Sequence, residues 1–362
     1  MKKLDFPYPF SGFRDLDFTN CFTGVYMYLE GIQGIEDFEC AKKHGRPCDG
    51  CGNCGGQTLQ NLQGQFFFLF DTVSGRSATV RGWGNKPTAI FQEIYDTEDM
   101  VDFIMGYAGY GYERHTENLM EHIRAAVDGG APALVRLKRE GPYLDGKGDS
   151  FRVIIGYDGN KLRMANPRGA NNKPKKAPKR NEIDSVYVIT GKAQRKYTLP
   201  DALRRIRRVM EFDRETGAWG EYIRAFEKYW DRLKGHSLQE LKQLHKNAWE
   251  GAIWNCHNFA ETFRVVKGPP VDENWIWAEL RNPALESLCL RIDWAYDNSH
   301  THQWQLRSLY ETRSWKKKYY NEMEWGMCEN AATVLRLIKE DDDVVYRAVC
   351  DMIEILNENL QQ

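Results

Sequence analysis

One change of texture constrains this chain of 362 residues more than any motif does. Up to about Gly191 the sequence mixes strand-like and helix-like stretches and is rich in glycine. Beyond Tyr197-Thr198-Leu199-Pro200 it becomes almost wholly helical in pattern, and ten of the eleven tryptophans lie between Trp219 and Trp325. Segments such as PDALRRIRRVMEF, EYIRAFEKYWDRL, LKQLHKNAWEGAIWNCHNFAETFRVV, PALESLCLRIDWAYD and VVYRAVCDMIEIL place apolar residues every three or four positions, the spacing of one buried helix face. The length suffices for two cores. The expected architecture is an α+β domain over residues 1–195 followed by an all-α domain over residues 196–362.

Within the first part, Thr19-Asn20 offers cap-type residues just before Cys21. Cys21, Val25, Tyr28, Leu29 and Ile32 then recur at helical spacing, which predicts a helix beginning at or beside the cysteine. The run Phe66-Phe67-Phe68-Leu69-Phe70 fits a buried strand or one side of a helix equally well. Residues 117–128 read as a helix stopped by Gly129-Gly130. Residues 133–138, 151–157, 161–166 and 185–190 read as strands, with Asp158-Gly159-Asn160 as a hairpin turn. GANNKPKKAPKRNE, between the last two strands, reads as an exposed loop. Its functional alternative is a basic lip, through Lys173, Lys175, Lys176, Lys179 and Arg180, for a phosphate-bearing or acidic ligand.

Fifty basic and fifty-one acidic residues nearly cancel, so no general field favours nucleic acid or an anionic membrane. The opening MKKLDFPYPFSGFRD lacks the apolar run of an export signal, and no later stretch approaches the length of an apolar membrane span. These features predict a soluble cytoplasmic protein with no nucleic-acid or membrane partner. Nine cysteines, an odd number, argue for free thiols and a metal site over a disulfide framework. Cys40, Cys48, Cys51 and Cys54 crowd into CAKKHGRPCDGCGNCGG, where four thiolates satisfy the tetrahedral preference of a structural zinc. His44 could replace one of them. Cysteines at two-residue gaps also suit an iron–sulfur cluster, although Gly55-Gly56-Gln57 stands where its fourth cysteine and proline belong, and the absence of any metal is the third reading. Cys256, Cys289, Cys328 and Cys350 fall inside helices and read as small buried hydrophobes.

A thiol at a helix N-terminus meets the positive end of the helix dipole and exposed N–H groups, which favour the thiolate and can cradle an oxyanion. Ser74-Gly75-Arg76 and Arg81, in FDTVSGRSATVRGWG, suit an anion-binding turn, with a surface turn as the plainer reading. Two stretches carry a resemblance. DFTNCFTGVYMYLEG has Cys21 opening a helix, and GDSFRVIIGYDGNKLRMANP gives a strand, a G-Y turn and a strand ending in Asn-Pro. Residues 1 to about 192 thereby resemble the papain-like domains seen at the N-terminus of butirosin-biosynthesis protein H and in bacteriocin-processing peptidases. The helical remainder resembles the C-terminal portion of clostridial proteins of that group, most clearly at WNCHNFAE.

The resemblance implies a papain-like α+β fold with Cys21 as nucleophile and Asn166 as the residue that orients a base. In such domains a histidine stands six residues before the glycine of the G-Y pair; counting back from Gly156 gives Ser150. The glutamine that usually precedes the nucleophile is absent from SGFRDLDFTN. His257 is the candidate surrogate base, His115 in YGYERH is a second imidazole of interest, and His300 and His302 form an H-x-H pair. Asn20, Arg76 and Arg81 are the candidate substrate-binding residues. Two functions follow. One is a non-catalytic descendant that binds a small-molecule or peptide ligand. The other is a Cys21-dependent acyltransferase or amide hydrolase, with an acyl-carrier protein as the thioester donor. Ser150 favours the first, because a hydroxyl is not a general base near neutral pH.

Overall fold

The computed structural model describes residues 1–10, 16–34, 58–78, 97–138, 150–165, 176–221, 223–224, 279, 282–295, 298 and 331–359. Tertiary contacts divide the chain into two units. The first comprises Met1–Phe70, Asp96–Thr198 and Val266–Glu279, and the second Asp71–Tyr95, Leu199–Val265 and Leu280–Gln362. The main divide thus follows Thr198, and each unit also takes in a segment from beyond it.

The first unit is a mixed α+β structure on an antiparallel sheet of β1 (Lys2–Lys3), β2 (Tyr110–His115), β3 (Ala133–Leu137), β4 (Phe151–Asp158), β5 (Lys161–Met164) and β6 (Ile183–Lys192). The strand order is β1-β4-β3-β6-β2, with β5 also paired to β4. The described helices of this unit include α1 (Phe18–Leu29), α2 (Leu59–Val73), α3 (Glu98–Ala108) and α4 (Leu119–Asp128), α2 running on into the second unit.

Strand alternation sorts the side chains onto two faces. On one, Leu119, Ile123 and Ala126 of α4 pack with Ala133, Val135, Ile154, Ile183 and Val186. On the other, Phe151 meets Phe18 of α1 edge-on, with ring centroids 5.3 Å apart, and lies 5.7 Å from Tyr187. Glu98, in the first turn of α3, ties that helix to this second face: it accepts from the Tyr187 hydroxyl at 2.5 Å and from Arg136 at 3.1 Å. Burial, with help from that bond to Glu98, pushes the Tyr187 phenol up to about 12. Thr97 caps α3 by accepting from the Met100 N–H, and Gly109 ends the helix at φ +75°, a left-handed conformation that only glycine adopts freely.

The phenylalanine run belongs to α2. Phe66 and Phe70 lie 5.4 and 5.1 Å from Tyr26 of α1, and Phe70 also lies 5.1 Å from Phe22. Four of the strands expected from the sequence appear as β3, β4, β5 and β6 with shifted ends. The G-Y pair is not a turn: Gly156-Tyr157 lies inside β4, and the chain reverses at Gly159-Asn160, with Gly159 at φ +57°. Gly156 is required for another reason. A Cβ there would stand 2.4 Å from the Lys2 carbonyl oxygen and 2.9 Å from Lys3 Cα, so β1 can pair with β4 only over a bare backbone. Gly156→Ala should detach β1 at a cost of about 1 to 3 kcal/mol. Hydrogen exchange checks this through the Leu4 N–H, which donates to the Ile155 carbonyl at 2.8 Å and should lose its protection.

All described elements of the second unit are helical. They include α5 (Leu199–Glu215), a 3-10 turn at Pro283–Leu285 that leads into helical residues 286–295, and α6 (Ala331–Asn359). Arg214 of α5 joins α6 by donating to Asp342 and Asp343 at 2.9 and 2.8 Å while its guanidinium lies 4.2 Å from the Tyr346 ring centroid. Among the described residues, no helix is long and apolar enough to cross a membrane.

Candidate functional site

The start of α1 decides what Cys21 can do. Asp17, in extended conformation, is the cap: its side chain accepts from the Asn20 N–H at 2.8 Å. Its carbonyl accepts from the Cys21 N–H at 3.1 Å. The helix therefore begins at Phe18, three residues before the expected start, and Thr19 and Asn20 lie inside its first turn. The reason is long-range. The Phe151 N–H donates to the Leu16 carbonyl at 2.8 Å, which pins the chain to β4 one residue ahead of the cap. Cys21 has thereby entered the i→i−4 ladder, so its own N–H is not the open oxyanion donor that the sequence suggested.

Cys21 is free of any disulfide and fully buried. The residues after β1 form a strap along the same helix. Phe6 stacks on Tyr28 at 5.5 Å, and the Tyr8 hydroxyl donates to the Ile32 carbonyl at 3.1 Å. A Cβ on Gly24 would touch Phe6 at 3.4 Å and the Pro9 carbonyl at 3.7 Å. Tyr28, Gly24 and Cys21 succeed one another on a single helix face, and the strap's contacts extend along it as far as Gly24. Next to it, Asn20 is buried and accepts from Gln63 Nε2 of α2 at 3.1 Å, while Gln63 Oε1 is buried without a partner. Asn20 thus supports the contact between α1 and α2 instead of facing solvent as a substrate ligand.

Ser150 is buried at the start of β4, and its carbonyl accepts from the Leu137 N–H at 2.8 Å. Through the bond from Phe151 to Leu16, this strand start lies beside the cap of α1. That is the neighbourhood in which the resemblance expects an imidazole. His115 and His122 are the two histidines among the described residues, and both lie toward α4: His115 sits opposite Val186, a member of the α4-facing cluster, and its ring stacks on that of His122. The sheet separates them from α1, so His115 is not the base for Cys21. Asn166, His257, Arg81, Cys40, Cys48, Cys51 and Cys54 lie outside the described residues, as do His44, His300 and His302.

Arg76 belongs to the second unit. The chain leaves α2 through Gly75, at φ +81°, and the Arg76 guanidinium folds back onto Asp71, donating through Nε and pairing through Nη2 with the same Oδ1. Arg76 and Asp71 are only 2% and 1% exposed. The Ser74 hydroxyl donates to the Asp71 carbonyl at 2.7 Å and accepts from the Arg76 N–H at 3.2 Å, and Arg205 Nε donates to the Ser74 carbonyl at 2.7 Å. The turn is therefore neither an open anion cradle nor a surface feature. It is a buried clasp between the end of α2 and α5.

Cys289 is buried as expected, and burial pushes its thiol up to about 11. Sequence reasoning missed Asp17, Gln63 and Asp71. Asp17 carried a legible signal, since an aspartate three residues before Asn20 is an N-cap pattern; Gln63 and Asp71 carried none, because their partners are set by packing and by a turn. In comparisons with models of protein families and with curated proteins the chain matches none, so its chemistry is read from its own residues.

Proposed function

We propose that the first unit is a papain-like domain that has lost catalysis and serves as a binding module for a small-molecule or peptide ligand. The observation that carries this reading is the condition of Cys21: fully buried, with its N–H spent on Asp17 and with Ser150 at the strand start beside the helix cap. A nucleophile needs access, an activating base and open donors for the oxyanion. What supports the papain-like assignment is the arrangement of α1 against an antiparallel sheet, with β4 beginning at the helix cap.

The competing reading is the Cys21-dependent acyltransferase or amide hydrolase, favoured by the position of the thiol in the first turns of α1. It needs His257 as base, Asn166 to orient it, release of the strap, and an acyl-carrier protein as donor. In either case we propose that Cys40, Cys48, Cys51 and Cys54 hold a structural zinc, with an iron–sulfur cluster as the alternative occupant of the same thiolates. Free Cys21 and Cys289 suit a reducing compartment, so cytoplasmic placement belongs to the same proposal.

The deciding experiment is the alkylation rate of Cys21 as a function of pH, followed peptide by peptide with buried Cys289 as a reference. The binding module predicts slow labelling that rises only toward or above the free-thiol value of about 8.5. Fast labelling that persists well below that value would show a stabilised, reachable thiolate and return the enzyme.

A further inference from the structure

β2 is the last strand in the order β1-β4-β3-β6-β2, and among the described residues it pairs with β6 alone. Its other side offers a row of N–H and C=O groups, the template on which a further strand adds to a sheet. Edges are kept unpaired by proline, by a bulge or by charge that a neighbour would have to face. β2 has one irregularity, a register shift between Gly111 and Tyr112. Beyond it, Tyr112, Glu113, Arg114 and His115 run opposite Ile189, Val188, Tyr187 and Val186 without a break. Those four residues contain no proline, and Glu113 and Arg114 are exposed, so the edge is open where they stand.

The charges on this stretch say what adds to it. Two copies of one strand related by a two-fold axis run antiparallel, and every residue then faces one on its own side of the sheet. Centring such a pair on Tyr112 draws the register shift into the contact. Centring it on Glu113 sets carboxylate against carboxylate, and centring it on His115 sets Glu113 against Glu117. Centring it on Arg114 sets Glu113 of each copy against His115 of the other, twice. Within one copy Glu113 Oε2 already stands 3.3 Å from His115 Nε2, and the His115 ring is stacked on that of His122 with centroids 3.5 Å apart. Carboxylate and imidazole would therefore alternate around the axis on that face. On the opposite face the two Arg114 side chains come together, each with its own counter-charges: Nε lies 3.3 Å from Glu98 and Nη2 3.8 Å from Asp184. The stretch is complementary to itself.

We propose that β2 is a self-association edge: two copies of this chain join their sheets through an antiparallel pair of β2 strands centred on Arg114, with Glu113 of each copy against His115 of the other. Backbone hydrogen bonds supply the attraction, and the cross-strand pairs of unlike groups fix the register. A single short strand from each copy makes a small contact, which belongs to the weak, transient class of interfaces. The dimer is accordingly reversible. It forms at the opposite end of the strand order from β1, away from the strap and α1, and stands whether or not Cys21 reacts.

The test is sedimentation velocity of the full chain from micromolar to submillimolar concentration. The wild type should pass reversibly from monomer to dimer across that range. Glu113→Lys, an exposed change, should weaken the dimer about tenfold or more, because each substitution acts twice across a two-fold. Glu113→Lys/His115→Glu exchanges the partners' chemistry and should restore association, a rescue that damage to the fold cannot produce. A second measurement needs no variant. Hydrogen exchange of the wild type should show amide protection within Tyr112 to His115 that rises with protein concentration. A wild type that stays monomeric throughout, a dimer that Glu113→Lys leaves unchanged, or protection that rises only outside β2 would overturn the proposal and leave the charges of β2 as a guard against pairing.

Discussion

Arg76→Ala should cost about 3 to 5 kcal/mol of stability, because it removes a buried cation from beside the buried Asp71 carboxylate. The size follows from the surroundings. Both partners are shut away from water, so the remaining charge cannot be resolvated unless the end of α2 opens. The clasp also holds Gly75 against Val209, where a Cβ would lie only 3.1 Å from Cγ2. Replacing both partners by apolar residues of similar volume, Asp71→Leu with Arg76→Met, should recover most of the loss, since a buried pair is costly mainly when broken. Denaturant unfolding of the three variants gives the comparison. If Arg76→Ala unfolds no more easily than the wild type, the clasp is not structural and an anion-binding role for Arg76 returns.

Gly24→Leu should raise the alkylation rate of Cys21 by about tenfold to a hundredfold. The mechanism is a wedge. A Cβ at position 24 fits, at ordinary contact distance from Phe6 and the Pro9 carbonyl, but a full isobutyl group does not. Overpacking of this kind costs about 1 to 3 kcal/mol, and about 1.4 kcal/mol of it raises the population of an open strap tenfold. Gly24→Ala is the paired control and should leave labelling near the wild-type rate, its smaller group fitting beneath the strap. Cys289, in the other unit, should not respond to either change. Equal labelling of Cys21 in the wild type and Gly24→Leu would mean that something other than the strap shields the thiol.

The parts of this structure that could be read from the sequence are those fixed by neighbours along the chain. The Asp158-to-Lys161 reversal and its two strands depend on alternation and on one glycine, and they appear as expected. α5 and α6 carry their apolar spacing openly. The phenylalanine run stayed ambiguous because five consecutive apolar residues have no period; Tyr26 and Phe22, some forty residues earlier, make it a helix. At the candidate site the limit was sharper. Asp17, Thr19 and Asn20 are all cap-type residues, and the choice among them is made by the bond between Leu16 and Phe151, which local preference cannot contain. That one bond moves the start of α1 by three residues and changes Cys21 from an opening residue with a free amide into an interior one.

The pairing of β1 with β4 also sets a clock. Lys2 finds its partner at Tyr157, so the far end of the strap has nothing to hold until about 140 residues after Cys21 have been made. At about 5–20 residues per second that is roughly seven to thirty seconds. In the finished fold Cys21 is fully buried, whereas until then β4, whose Phe151 N–H bonds the Leu16 carbonyl ahead of α1, is also missing. A population alkylated by a pulse during translation should therefore carry more label at Cys21 than one alkylated after folding, and equal labelling would mean that burial of the thiol does not wait for β4.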